Sequence, residues 1–283
     1  MPAAPGWVAL AAGGWHAARV MTSENFRPQT AAAIEAVTAG LGVARKGEGA
    51  ADIQLKGPRD LVTAADVAAE DAIRAVLGRL PGTTVVGEER GGEAPRDGAP
   101  YWLVDPICGT RNFASGLPLY SVNLALVEGG EVTVAAVGDP FTGEVHVAER
   151  GRGASALGGG SRRRLTVSGD SHVLVIEEGR ARGERRERAA RCIAAAILIN
   201  RWDLRNLGST LSLAYLAAGR IAAYIVVSGE ALHTAAGTLL AAEAGAIVTD
   251  IEGRPWTADA DSAVAAATPA LLQDLLVLTR AVP

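Results

Sequence analysis

The chain has 283 residues, of which 49% are hydrophobic and 20% are charged, and its formal net charge is -4 at pH 7. This composition excludes a disordered chain and predicts a large buried core in one domain or in two fused lobes. Because charges of both signs are interspersed, we expect no face for nucleic acid or anionic lipid, and a small molecule as the partner. No apolar run reaches the roughly 18 residues that a membrane-spanning helix requires.

Cys108 and Cys192 are the two cysteines, and they lie far apart in the sequence. This spacing predicts neither a disulfide framework nor a zinc knuckle. It is typical of proteins of the reducing cytoplasm, which is the expected location.

Residues 1–25 are expected to form an amino-terminal extension outside the fold. The stretch begins MPAAPGWVALAAGGWHAARV, which lacks a basic n-region, and Trp7, Trp15 and His16 interrupt its apolar residues. These features argue against a secretory signal peptide.

The first elements in chain order are two helices and two strands. Apolar residues at helical spacing predict helices over residues 27–44 and 64–80, the second ending at Pro81-Gly82. The short apolar runs TTVVGEE and YWLVDPI then predict buried strands with acidic residues at their carboxyl ends. Such strands deliver side chains to a site at the edge of a sheet.

Residues 120–149 contain three apolar runs separated by turn residues, which predicts an antiparallel meander. Helical and strand patterns then alternate, with helices expected at about 184–196, 209–218, 233–244 and 269–279. This order predicts an α/β protein built as a layered sandwich, with two fused lobes at about 26–170 and 171–283.

Five motifs carry a resemblance to a known family. They are, in order, DLVTAAD, VGEE, WLVDPICGTRNFASG, LGSTLSLAYLAAGRIAAY and LHTAAGTLLAAEAGA. Their order resembles the motif set of the inositol monophosphatase family, within the fructose-1,6-bisphosphatase and inositol phosphatase superfamily, over about residues 28–280. The resemblance implies an αβαβα sandwich, magnesium-dependent hydrolysis of phosphate monoesters, and a homodimer.

The resemblance also assigns site residues. The family's metal-ligand positions correspond here to Glu88, Asp105 and the backbone carbonyl of Ile107, while Asp66 corresponds to the position that supports a further metal through water. Gly109 and Thr110 match the positions that hold phosphate and orient the attacking water. Carboxylates suit magnesium because it prefers hard oxygen donors.

Two positions depart from this pattern. The family reads Asp-Pro-Ile-Asp-Gly-Thr where this chain has Cys108 in place of the second aspartate, and it has Trp-Asp where this chain has Leu232-His233. The family also tends to have an acidic residue in the segment that is Ala222-Ala223 here. Because magnesium binds sulfur and imidazole poorly, we do not expect an ordinary magnesium phosphatase.

The first hypothesis is a repurposed enzyme, in which Asp105 orients a thiol-imidazole pair of Cys108 and His233. Helix amino termini are expected to favour the Cys108 thiolate and a neutral His233. The reaction would be acyl transfer, cyclisation or elimination on a small metabolite, with Thr110 and the Gly109 amide as oxyanion donors.

Two other hypotheses stay open. Glu88, Asp105, Cys108 and His233 together offer oxygen, sulfur and nitrogen donors that zinc or another transition metal accepts, so that hydrolysis of inositol, sugar or nucleotide phosphates survives. Alternatively, the centre is inactive and the protein binds a ligand or regulates a partner.

Residues outside these motifs are expected to play smaller parts. Ser209, in a predicted helix N-cap, and Asp203, in the loop before it, are expected to contact the substrate. Cys192 is expected to be a buried core thiol, because it lies in the apolar run RCIAAAI.

Overall fold

A computed structural model of the chain describes residues 26–47, 53–57 and 60–280. The expected extension over residues 1–25 lies outside this range. Within it, no helix has the length and apolar character needed to cross a bilayer.

Two helices form the first layer. Helix α1 spans Pro28–Gly47, and α2 spans Ala64–Leu77 after the hairpin of β1 (Ile53–Gly57) and β2 (Asp60–Thr63). Helix α2 begins with a capping box between Thr63 and Asp66, which satisfies backbone donors at its first turn. It ends at Leu77 instead of the predicted residue 80, because Gly78 caps the last turn.

A seven-stranded sheet forms the second layer, in the order β3-β4-β5-β6-β7-β8-β9. Its first two strands are parallel and all later pairs are antiparallel, which includes the predicted meander. Its strands are β3 (Thr84–Gly87), β4 (Tyr101–Cys108), β5 (Ser121–Glu128), β6 (Glu131–Gly138), β7 (Val145–Glu149), β8 (Gly153–Gly158) and β9 (Ser161–Arg164).

A five-stranded mixed sheet forms the fourth layer, in the order β11-β10-β12-β14-β13. Strands β10, β11 and β12 are parallel, and β14 runs antiparallel to its two neighbours. The strands are β10 (Val173–Glu177), β11 (Asp203–Arg205), β12 (Ala223–Val226), β13 (Ile247–Thr249) and β14 (Ala263–Ala266).

Helices fill the third and fifth layers. Helices α5 (Leu211–Ala217) and α6 (Ala231–Glu243) lie between the two sheets, and their small apolar residues pack on both. Helices α4 (Gly183–Ile199) and α7 (Pro269–Arg280) cover the outer face of the five-stranded sheet. The αβαβα prediction is therefore confirmed, whereas the division into lobes near residue 170 stays a prediction.

Candidate active site

A cavity of about 890 Å³ opens where loops of the two sheets meet. Its walls come from the turn after β3, the turn from β4 into the short helix α3 (Thr110–Ala114), the loop after β10, the loop before α5, and the start of α6. A cavity of this size accommodates a small metabolite.

Strands β3 and β4 bring two carboxylates to the cavity. They are parallel neighbours, so Glu88, directly after β3, and Asp105, near the end of β4, reach the same edge of the sheet. The register of β4 against β5 shifts between Asp105 and Cys108. Such an irregularity redirects side chains, and both residues contribute to one site.

His233 completes this group from the first turn of α6. Its Nδ1 lies 2.7 Å from Oδ2 of Asp105, and its Nε2 lies 3.9 Å from Oε1 of Glu88. Ligand atoms of Asp105, Cys108 and His233 lie within 4.8 Å of one another. The structure therefore places the predicted thiol and imidazole side by side, in contact with the predicted carboxylate.

The Asp105 carboxylate is buried, yet one of its oxygens is unsatisfied. Oδ2 contacts His233, whereas Oδ1 has no hydrogen-bond partner within the described part of the chain. A buried acceptor without a partner is costly unless a cation or a donor from a ligand faces it. This atom is where the centre can accept a further ligand.

The pKa of Glu88 reflects its burial and the negative charge beside it. Burial, followed by the charge of Asp105, raises the pKa of Glu88 to about 8, although His233 and Arg180 act in the opposite direction. Arg180, in the loop after β10, places its Nη2 2.8 Å from Oε1 of Glu88 and so bridges the two sides of the cavity. Arg180 was not among the predicted site residues, although the run GRARGERRE after an apolar strand was a signal that could have indicated it.

The expected influence of helix termini on Cys108 and His233 is wrong. Burial raises the pKa of Cys108 to about 11, with Asp105 adding to the rise, although contacts with His233 and Thr210 oppose it. Burial alone would lower the pKa of His233, but the hydrogen bond to Asp105 and the charges of Asp105 and Cys108 hold it well above its ordinary value. Burial and individual contacts are the causes of these two shifts.

Two groups of Thr210, directly before α5, contact the sulfur of Cys108. The backbone N–H of Thr210 donates to Sγ over 3.3 Å, and its hydroxyl lies 3.0 Å from Sγ and 2.7 Å from the His233 carbonyl oxygen. The side-chain amide of Asn123 donates to the Thr210 hydroxyl oxygen. Thr210 is thus a contact residue that sequence reasoning did not identify, because its motif position indicated only a helix start.

The turn after Cys108 requires glycine. Gly109 has φ +103, and a Cβ added there would lie 3.0 Å from the carbonyl oxygens of Gly208 and Leu119. The next residue, Thr110, has its hydroxyl 3.1 Å from the Ile107 carbonyl oxygen and 3.3 Å from Oδ1 of Asp66. Gly109 and Thr110 line the cavity, while Asp66 lies behind Thr110 and supports it.

The remaining predicted residues differ in whether they line the cavity. Ser209 lines the cavity, and its hydroxyl lies 3.2 Å from that of Ser121. Asp203 pairs with Val173 at the amino end of β10, the end opposite to Glu177 and the cavity. It does not line the cavity, which argues against the expected contact with the substrate. Cys192 is buried in the outer core and donates to the Leu278 carbonyl, as expected of a core thiol.

The donor set decides which cation the centre fits. Magnesium requires near-octahedral oxygen coordination, and here sulfur and imidazole stand at two of the positions. A mixed set of carboxylate, thiolate and imidazole is instead accepted by zinc and related transition metals. The unsatisfied Oδ1 of Asp105 next to Cys108 and His233 fits such an ion.

The sandwich and its acid-lined cavity at the strand ends are typical of α/β enzymes that act on small molecules. Residues 25–282 match the model of the inositol monophosphatase family, and the chain belongs to that family.

Known proteins agree with this assignment. An inositol-1-monophosphatase of Mesorhizobium japonicum is 37% identical over 218 residues, which cover 75% of this chain and 80% of the relative. An inositol-1-monophosphatase SuhB of Mycobacterium tuberculosis is 34% identical over 265 residues, 90% of each chain. The structure of an inositol monophosphatase from Anabaena superposes with a TM-score of 0.75 at 26% identity, covering 90% of this chain and 96% of that one.

Proposed function

We propose that this chain hydrolyses phosphate monoesters of a small molecule, such as an inositol, sugar or nucleotide phosphate, at a centre for zinc or a related transition metal. The observation that carries the proposal is the cluster of Asp105, Cys108 and His233, whose ligand atoms lie within 4.8 Å of one another beside an unsatisfied carboxylate oxygen. The names of the relatives support the reaction class.

Asp105, Cys108 and His233 would hold the cation, with Glu88 at 3.9 Å from the histidine as a further oxygen donor. A bound cation of this kind supplies Lewis-acid stabilisation of the phosphate charge. Coordination would remove the thiol proton of Cys108 at neutral pH, and the raised pKa of this thiol makes metal affinity increase with pH.

The remaining polar groups of the cavity would position the ester. Arg180 places a guanidinium at the cavity wall, where it is suited to pair with phosphate oxygens. The Thr110 hydroxyl, held near Ile107 and Asp66, is placed to orient a water molecule. Gly109 leaves room for the substrate to approach the backbone closely.

The test is phosphate release from inositol and sugar phosphates by metal-stripped protein to which magnesium, manganese, cobalt or zinc is returned. We expect turnover with a transition metal and little with magnesium. The double reversion Cys108→Asp, His233→Asp restores oxygen donors and should shift the preference to magnesium. Robust magnesium turnover by the unsubstituted protein, or no response to any transition metal, would overturn the proposal.

A second candidate is metal-independent chemistry by the Cys108-His233 pair, with acyl transfer, cyclisation or elimination as the reaction. The contact of His233 with Asp105, beside Cys108, favours it, because a carboxylate that orients an imidazole next to a thiol is the arrangement of a nucleophile and its base. It ranks second because a thiol with a pKa of about 11 is mostly protonated at neutral pH.

Iodoacetamide labelling of metal-free protein distinguishes these candidates. Preferential modification of Cys108 over Cys192 near neutral pH supports the thiol enzyme. Slow labelling of both cysteines, together with no metal binding and no turnover, supports the third hypothesis, in which the protein is an inactive ligand-binding or regulatory homologue.

We also propose that the protein works as a cytoplasmic homodimer. The cysteine usage supports the location, and the family resemblance supports the dimer. Sedimentation analysis tests the second point, since a monomer at micromolar concentration would contradict it.

A further inference from the structure

A buried carboxylate lies beneath the loop that carries Ser209 and Thr210. Glu177, the last residue of β10, is 6% exposed. Its Oε1 accepts hydrogen bonds from the backbone N–H groups of Leu207 at 3.0 Å and Gly208 at 2.9 Å, and from the Ser212 hydroxyl at 3.0 Å. Three donors from one loop and the helix after it therefore converge on a single oxygen.

This convergence fixes the loop before α5. Hydrogen bonds to a buried carboxylate are stronger than those between neutral groups, and the two backbone donors would be unsatisfied without it. The opposite side of the loop is held from helix α3, since the Asn112 side-chain amide donates to the Leu207 carbonyl oxygen over 2.6 Å. Glu177 of β10 thus anchors the loop through two of the loop's backbone amides, and Asn112 of α3 anchors it through the Leu207 carbonyl.

The anchored loop delivers the groups that contact Cys108. Gly208 adopts φ +63, and two residues later the N–H and hydroxyl of Thr210 reach the Cys108 sulfur. A shift of the Leu207-Gly208 peptide would therefore move Thr210 away from Sγ.

We propose that Glu177 is a positioning residue of the centre: it fixes the Leu207-Gly208 backbone so that Thr210 holds the Cys108 sulfur in place beside Asp105 and His233. The inference deepens the proposed function, because it takes Cys108 as part of the working centre. Glu177 is the first of the two glutamates in the segment VIEEG. This segment is not part of the family motifs quoted above.

The test measures the iodoacetamide labelling rate of Cys108 in metal-free protein by peptide mass spectrometry, with Cys192 as the internal control. Glu177→Ala removes the acceptor. Glu177→Asp is a milder change that shortens the side chain by one methylene and so moves the carboxylate away from the loop. In both we expect Cys108, which is 8% exposed in the unsubstituted protein, to become accessible and to react at least about tenfold faster, even though Thr210 then no longer favours the thiolate. Glu177→Gln retains an acceptor oxygen and should stay within about threefold of the unsubstituted protein.

Two controls separate positioning from general stability. Ser212→Ala removes one donor to Glu177 but leaves both loop amides bound, and Leu216→Ala destabilises buried helix α5 away from the cavity. Neither should accelerate Cys108 selectively. A second readout is the thiolate charge-transfer absorption of cobalt-loaded protein, which should weaken in Glu177→Ala and Glu177→Asp but persist in Glu177→Gln.

Equal labelling of Cys108 in all Glu177 variants would overturn the inference, as would parallel acceleration of Cys108 and Cys192. The labelling assay needs neither metal nor substrate. A protein without phosphatase activity that still shows the selective acceleration would retain Glu177 as a positioning residue while refuting the proposed function.

Discussion

Replacing Glu88 with glutamine should stabilise the metal-free protein at neutral pH while weakening its centre. In the unfolded chain Glu88 titrates near its ordinary value of 4.5, whereas in the folded chain its pKa is about 8. The folded protein therefore binds more protons between these values. Consequently the free energy of unfolding falls as the pH rises from 4.5 towards 8 and changes no further above that.

The magnitude follows from the pH interval. At about 1.4 kcal/mol per pH unit, the destabilisation caused by Glu88 reaches about 3 kcal/mol at pH 7. The side chain is 17% exposed, so solvent screening is limited. The attraction of Arg180 already acts on this pKa, and that arginine is half exposed, so the lost ion pair is not subtracted in full. We therefore expect a net gain of about 1–3 kcal/mol at pH 7.

The assay is urea denaturation of both proteins with a chelator present, at several pH values between 4.5 and 8.5. The difference between Glu88→Gln and the unsubstituted protein should be near zero at the lowest pH and grow with pH. Ile73→Ala, which removes no ionisable group, is the control and should change the stability by the same amount at every pH. A pH-independent difference, or loss of stability in Glu88→Gln at pH 8, would refute the reasoning.

Three further substitutions test the local structure, each measured by urea denaturation. Thr63→Ala removes the N-cap of α2 and should cost about 1 kcal/mol; no loss would show that the capping box is dispensable. Gly109→Ala places a Cβ against the Gly208 carbonyl at positive φ and should cost about 1–3 kcal/mol and reduce turnover; unchanged turnover would contradict the tight turn. Ile73→Ala opens a cavity in the core beneath the seven-stranded sheet and should cost about 2–5 kcal/mol without accelerating Cys108 labelling; a small loss would contradict close packing there.

Periodicity and motif order were sufficient to predict the layers. The ends of helices were less predictable, because caps and tertiary contacts decide them. Helix α4 was expected to end near residue 196 but continues to Ile199, and Asn200 at φ 52 terminates it. Its last turn exposes Ile197, Leu198 and Ile199, so the apolar pattern gave no boundary there.

Within the site, the motifs predicted which residues meet but not how they are charged. The resemblance placed Cys108 and His233 together, and their ligand atoms lie within 4.8 Å of each other. Their pKa shifts depend on burial and on the individual contacts with Asp105, which a linear sequence does not specify. Arg180 reaches Glu88 across 92 positions of sequence, a contact that only the packing of the two sheets creates.

The most direct test of the account is X-ray diffraction at the zinc absorption edge from crystals of the zinc-treated protein. The account predicts an anomalous peak bonded to an Asp105 oxygen, the Cys108 sulfur and a His233 nitrogen. The absence of a peak among these three side chains would contradict the account. So would magnesium-treated crystals that contain two magnesium ions bound only by oxygen atoms, with Cys108 and His233 turned away from them.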